Sequence, residues 1–280
     1  MKRVIIVLFM QFIFILPVIF ILPGNALAGT QAIREKVYNF NQIAALAKGL
    51  ERVLAEKRAH VALIARVGLS QKILPPEIQF SHAGFAVYSK IKTRDDRLVP
   101  GYAIYNLYQR EERTGKSHLA QDYPIDYLSV SQVLKVGVII PNEKLKRTLA
   151  KTIFSDKYKT LHNPYYSVLS NPFNAGFQNC TEFVLDVLFA AIYKIDDINK
   201  LKVYIASYFD PQPIYVDKER LNMAANIMPD LTIDDHDGPI ATTTFSSIAR
   251  FLLSYDIAEE VFIYEVDANT LYGEIKNIDL

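Results

Sequence analysis

The chain contains a single cysteine, Cys180, in a position that suits a sulfur nucleophile. Asn179, followed three residues later by Glu182, has the form of a helix N-cap with an acid at the third helical position. Cys180 is then the first helical residue, beside unpaired backbone N–H groups at the positive end of the helix dipole. That environment favours thiolate over thiol, and the same N–H groups can hold an oxyanion when sulfur attacks a carbonyl. The spacing also serves packing. Cys180, Phe183, Val184, Val187, Leu188 and Ala191 form one apolar stripe, so a thiol that merely begins a core face is the competing reading.

A thiol nucleophile needs a base, and the chain offers five histidines. His82 falls inside a predicted strand, with Gly84 and Ala86 as its same-face neighbours. Tiny side chains beside an imidazole let a helix end or a substrate approach the sheet. His60 follows a charged run, and His118 and His162 fall in polar loops. His236 sits in Asp234-Asp235-His236-Asp237, a segment that reads as turn and cap chemistry rather than a cation site. His82 is the candidate base. Asn106, the one non-aromatic polar residue in the middle of the next strand, reaches its ring if the two strands pair as a hairpin; a solvent-facing Asn is the equal alternative. Gln178, two residues before the cysteine, is a further candidate oxyanion donor.

The elements that must place these residues follow from hydrophobic periodicity. Helices are predicted over 31–57 (with Gly49 as a break), 143–154 behind an Asn142 cap, 180–194 and 243–254. Strands are predicted over 60–67, 78–88, 102–109, 134–140, 201–208 and 259–266. Residues 117–122 read as part of a polar loop, and a Tyr-, Asn- and Pro-rich loop over 162–179 leads into the cysteine helix. A helix, then consecutive strands, then mixed elements predict an α+β domain with an antiparallel sheet packed on that helix.

Residues 1–28 read as an address. Lys2 and Arg3 precede an apolar run over 4–22, and Ala26-Leu27-Ala28 offers small residues for a signal peptidase. Cleavage after Ala28 predicts an exported, periplasmic protein, with an uncleaved membrane anchor as the competitor because the run is long. The remainder, 29–280, reads as one domain with a C-terminal extension from about 201. In an oxidising compartment an unpaired thiol is worth noting as a reactive group.

Composition narrows the classes. With 31 Lys+Arg against 30 Asp+Glu there is no broad basic face for nucleic acid. One cysteine excludes a cage of several thiolates. No His-Glu-x-x-His, Walker-type glycine loop or Gly-x-Ser-x-Gly elbow occurs, so no metal and no cofactor is expected.

Ser81-His82-Ala83-Gly84-Phe85, followed far downstream by Asn179-Cys180-Thr181-Glu182-Phe183-Val184, resembles the circularly permuted branch of the NlpC-type papain-like superfamily. That branch includes lecithin:retinol acyltransferase. The His strand precedes the Cys helix there, as it does here, and this likeness covers mainly 60–194. Over most of 31–280, with Gln121-Asp122-Tyr123-Pro124 and Phe177-Gln178-Asn179-Cys180 in addition, the chain resembles an uncharacterised family of exported bacterial proteins. The resemblance implies Cys180 as nucleophile, His82 as base and a polar third residue, here Asn106. It implies amide hydrolysis, with cell-wall peptides or peptidoglycan as substrate, or acyl transfer and lipid hydrolysis. A non-catalytic envelope protein that keeps the fold and binds a wall fragment is the alternative from another class.

Overall fold

The computed structural model describes residues 36–70, 74–92, 95–110, 115–216, 219, 221, 223, 226, 228 and 230–280. The export signal read in 1–28 lies outside them. Among the described residues, no helix is long and apolar enough to cross a membrane.

Strand β1 (Val61–Arg66) is apolar at every position but the last, and all six of its residues are buried. A strand covered on both faces belongs at the centre of a sheet. It pairs antiparallel with β2 (His82–Lys92) on one side and with β5 (Lys135–Pro141) on the other. Beyond β2 come β3 (Leu98–Gln109) and β4 (Ser117–Asp122); beyond β5 come β8 (Ala258–Val266) and β9 (Gly273–Lys276). The order is β4-β3-β2-β1-β5-β8-β9, antiparallel throughout.

Alternation along the strands gives each face its own core. Ala62, Ile64, Ala86, Ile104, Val138 and Phe262 pack under α1 (Phe40–Glu56) and the short α2 (Pro124–Leu128), through Leu46, Leu50, Leu54 and Tyr127. Leu63, Ala65, Ala83, Phe85, Leu107 and Ile139 face α3 (Glu143–Ile153), the one-turn α4 (Lys157–Thr160), α5 (Cys180–Tyr193) and α7 (Phe245–Ser254), through Leu149, Tyr158, Phe183, Val187 and Ile248. Each such Val, Leu, Ile or Phe side chain contributes roughly 1.5–3 kcal/mol by leaving water, so this three-layer arrangement fixes where the helix starts lie. The fold is α+β, with the cysteine-bearing helix packed on a seven-stranded sheet.

Several expectations needed correction. Residues 201–208 are not a strand but most of α6 (Ile198–Tyr208), capped by Asp197, which accepts from the Lys200 N–H. Leu201, Lys202 and Ile205 are its buried side. Residues 117–122 are strand β4 rather than loop. The first helix begins at Phe40 behind a capping box of Asn39 and Gln42, and it runs through Gly49. Gly49 is there for space, because a Cβ would strike the Tyr264 hydroxyl. Within residues 201–280, β8 pairs along the whole of β5, and α7 packs in the main core.

Candidate functional site

Asn179 caps α5 as the sequence predicts, its Oδ1 accepting from the Glu182 N–H at 2.9 Å. The cap itself is anchored: its N–H donates to Ser170 Oγ, and its Nδ2 donates to the Val168 carbonyl and to Thr242 Oγ1. Thr242 belongs to a small ribbon of β6 (Gln212–Pro213) and β7 (Ala241–Thr242). The loop before α5 is tied in turn to the 230–237 segment. Asp235 accepts from the Asn171 N–H and, through its carbonyl, from the amides of Asn171 and Asn174; His236 Nε2 meets the Leu169 carbonyl at 2.7 Å. The acidic loop therefore does turn and clamp work around the start of the cysteine helix.

Cys180 is the first residue of α5 and is 4% exposed. Its Sγ lies 3.9 Å from the Ser81 carbonyl oxygen, and the Ala83 N–H is directed at it. The sulfur thus touches the main chain on either side of His82. Burial pushes the thiol pKa up; the Ala83 N–H and the charge of Arg66 act against that rise.

His82 is fully buried on β2, and Nε2 lies 3.0 Å from Asn106 Oδ1. Gly84 makes this approach possible. It sits opposite Asn106 in the ladder, where a Cβ would come within 2.8 Å of the Asn106 Cβ. The pair continues into residues that sequence reasoning missed. Asn106 Nδ2 donates to Asp122 Oδ2 at 3.0 Å, and the Tyr108 hydroxyl donates to the same oxygen at 2.7 Å. The imidazole stacks on Tyr108 with centroids 4.8 Å apart and lies beside Tyr127, whose hydroxyl donates to the His82 carbonyl. Burial first, and then the Arg66 charge, hold the imidazole pKa well below its usual value; the Asn106 bond acts the other way.

The structure therefore joins His82 to Asn106 but does not bond Cys180 to either. The ring leaves β2 on the face of Ala86 and Ile104, whereas the sulfur arrives from the side of Ala83 and Phe85. His82 Nδ1 is buried and has no hydrogen-bond partner among the described residues. Arg66 is the cross-strand partner of His82, with its guanidinium 5.2 Å from the Tyr127 ring centre.

On its far side the sulfur forms part of the wall of a cavity of about 170 Å³. Leu69, Ile78, Phe80, Tyr166, Val168, Leu169 and Leu231 supply an apolar lining, and Ser81 with Thr242, Thr243 and Thr244 supply hydroxyls. The loop residues Tyr166, Val168 and Leu169 thus line a pocket at the cysteine, whereas Phe173 points outward.

The remaining candidates serve packing. Gln178 is not an oxyanion donor: its Nε2 donates to the Leu161 carbonyl and to Asp186 Oδ2, and its Oε1 accepts from the Asn163 N–H. Glu182 and Asp186 of α5 share the Lys202 ammonium, at 2.6 and 2.8 Å. His162 meets Ser117 Oγ at 2.8 Å, and burial lowers its pKa to about 4. His118 lies beside Tyr108, and His60 is exposed against Tyr88. Among the described residues, no group of three or more His, Cys, Asp or Glu is placed to hold a metal ion.

The profile of a family described as an uncharacterised protein conserved in bacteria, DUF2145, matches residues 53–252. The chain belongs to that family. No curated protein and no solved structure matches it. The span shared with DUF2145 runs from the end of α1 through α7 and holds Arg66, His82, Asn106, Asp122 and Cys180 together.

Proposed function

We propose that this DUF2145 protein is an exported, permuted papain-like thiol enzyme that cleaves or transfers an apolar acyl group. The observation that carries the reading is the seat of Cys180: first residue of a buried helix, in the wall of an apolar cavity, against the strand that bears His82. In this reading sulfur adds to the substrate carbonyl carbon and the N-terminal N–H groups of α5 take the oxyanion. The leaving group departs with a proton taken from solvent, and the Nδ1 lone pair of His82 then draws the proton from the water or acceptor alcohol that releases the acyl group from sulfur. Cell-wall peptides fit less well, because their carboxylates and amines would lose water against leucines and valines without gaining ionic partners. An engineered apolar cavity of about 150 Å³ takes benzene, so the space suits a short or branched acyl chain.

A series of acyl esters of increasing length, offered to the protein lacking residues 1–28 alongside muropeptides, tests this. Turnover of apolar esters, an acyl adduct on Cys180, loss of both in C180A and a fall of about 100-fold or more in H82A are expected. Absence of turnover and of adduct with every substrate would remove the enzyme reading. The second reading, a non-catalytic envelope protein with the cavity as a binding site, is favoured by the lack of a bond between sulfur and imidazole.

A further inference from the structure

One hydroxyl in the wall of the cysteine cavity has nothing to bond. Thr243 is 2% exposed, and its Oγ1 makes no hydrogen bond among the described residues. It shares the cavity wall with Cys180. The other threonine hydroxyls of that wall are all committed. Thr181 Oγ1 donates to the Thr243 carbonyl at 2.7 Å. Thr242 Oγ1 accepts from the Asn179 amide and donates to the Ser170 carbonyl, and Thr244 Oγ1 accepts from the Ser247 N–H in the cap of α7. Ser81 Oγ accepts from the Gly68 N–H. Threonine readily satisfies its hydroxyl on nearby main chain, and burying one without a partner is costly. The main chain of Thr243 is also held from both sides. Strand β7 ends at Thr242, the α7 cap is Thr244, and the Thr243 carbonyl is bonded to the first turn of α5. Its free hydroxyl is therefore already in place for a group that enters the cavity.

We propose that the cavity takes an acyl chain bearing an uncharged oxygen substituent, a hydroxyl or keto group, and that Thr243 is the residue that recognises it.

No Asp, Glu, Lys, Arg or His lines the cavity among the described residues, so a charged substituent would lose its water without gaining an ionic partner. A wholly apolar chain would pack against Leu69, Phe80, Val168 and Leu231 but leave the Thr243 hydroxyl unpaired. An oxygen on the chain accepts from that hydroxyl and leaves the remaining carbons to the apolar wall. A site with a buried hydrogen-bonding group discriminates strongly against the analogue that lacks the matching atom. That the ligand is an acyl chain rests on the acyl-transfer reading; that it carries an oxygen rests on Thr243.

Binding is measured by calorimetry with C180A, which forms no adduct, and with C180A/T243V. The probes are ethyl pentanoate, ethyl 2-hydroxypentanoate, ethyl 3-hydroxypentanoate and ethyl 4-oxopentanoate, which move the oxygen along the chain. At least one oxygenated ester is expected to bind C180A and to lose about tenfold or more in affinity on adding T243V, while ethyl pentanoate changes by less than about twofold. Equal losses for all the esters, no loss for any, or no binding of any overturns the proposal. T243V removes a hydroxyl without a partner, so it should fold and melt no lower than wild type, whereas T242V removes a bonded one and should melt lower. A T243V protein that fails to fold, or melts as low as T242V, would show that the hydroxyl is already satisfied within the protein, and overturns the proposal too. An oxygen preference that follows Thr243 in a protein without turnover would sink the acyl-transfer reading alone. Ester turnover with a preference that ignores Thr243 would do the reverse.

Discussion

Asn106 donates its amide to Asp122 over 3.0 Å and so has only its oxygen left for His82. Its second amide proton goes to the Ile104 carbonyl at 3.3 Å, so neither proton is available to the ring. An oxygen facing Nε2 requires the hydrogen to be on Nε2, which leaves Nδ1 of the neutral ring as the lone pair. Nitrogen NMR of the labelled protein should therefore find His82 as the Nε2–H tautomer. D122N keeps an acceptor and should keep the tautomer; D122L removes it and should admit the Nδ1–H form. A wild-type ring protonated on Nδ1 would refute this ordering of the network.

Gly84 is where the sheet admits the histidine pair. An added methyl would sit 2.8 Å from the Asn106 Cβ and 2.9 Å from the Tyr105 carbonyl, which is main chain and cannot swing aside. G84A should cost about 1–3 kcal/mol in denaturant unfolding and disturb the His82 signals. Wild-type stability with unshifted ring resonances would contradict the close approach.

The Lys202 ammonium is the one cation between two buried carboxylates of the cysteine helix. K202M leaves Glu182 and Asp186 facing each other and should cost about 3–5 kcal/mol. Burial already pushes Glu182 up to about 8 and raises Asp186, with Lys202 acting against both. Without the lysine the folded state must hold more protons than the unfolded one, so the loss should be larger at pH 8 than at pH 5. Equal losses at the two values would show that charge is not the cause.

Acid should destabilise the protein early. His82 and His162 both have folded pKa values below the unfolded value of about 6.5, so below that pH the unfolded chain binds the extra protons. The stability carried by their neutral burial is complete above about pH 6.5 and is lost as pH falls, by up to about 1.4 kcal/mol per unit for the fully buried His82 ring and by less for the half-buried, solvent-screened His162. Melting temperatures between pH 7 and pH 5 check this, and H162Q should flatten the slope. A flat profile in the wild type would contradict it.

Much of the fold was legible because β1, β2, β3, β5, β8 and the helices at 143, 180 and 245 carry unmistakable periods. So was the Asn179 cap, where a side-chain acceptor and its spacing coincide. Leu201–Tyr208 misled because its apolar residues also alternate, and the decisive signal was the Asp197 cap four residues before. Strand β4 is an edge strand whose two apolar residues, Leu119 and Ala120, are adjacent, so it offers no alternation to read. Of the site, the cysteine, histidine and asparagine could be found by their chemistry. Arg66 and Asp122 could not. Arg66 ends an apolar run, Asp122 falls in a polar stretch that reads as loop, and only register brings them to His82.

The family profile ends at residue 252, yet β5 keeps a full ladder of partners only because β8 follows at 258–266. A chain cut at the profile boundary would expose the backbone of a central strand and strip Phe262 and Tyr264 from the core over α1. Such a bare, apolar edge recruits other chains. The smallest soluble unit should therefore extend through the last strand, with the shorter piece aggregating as it is made.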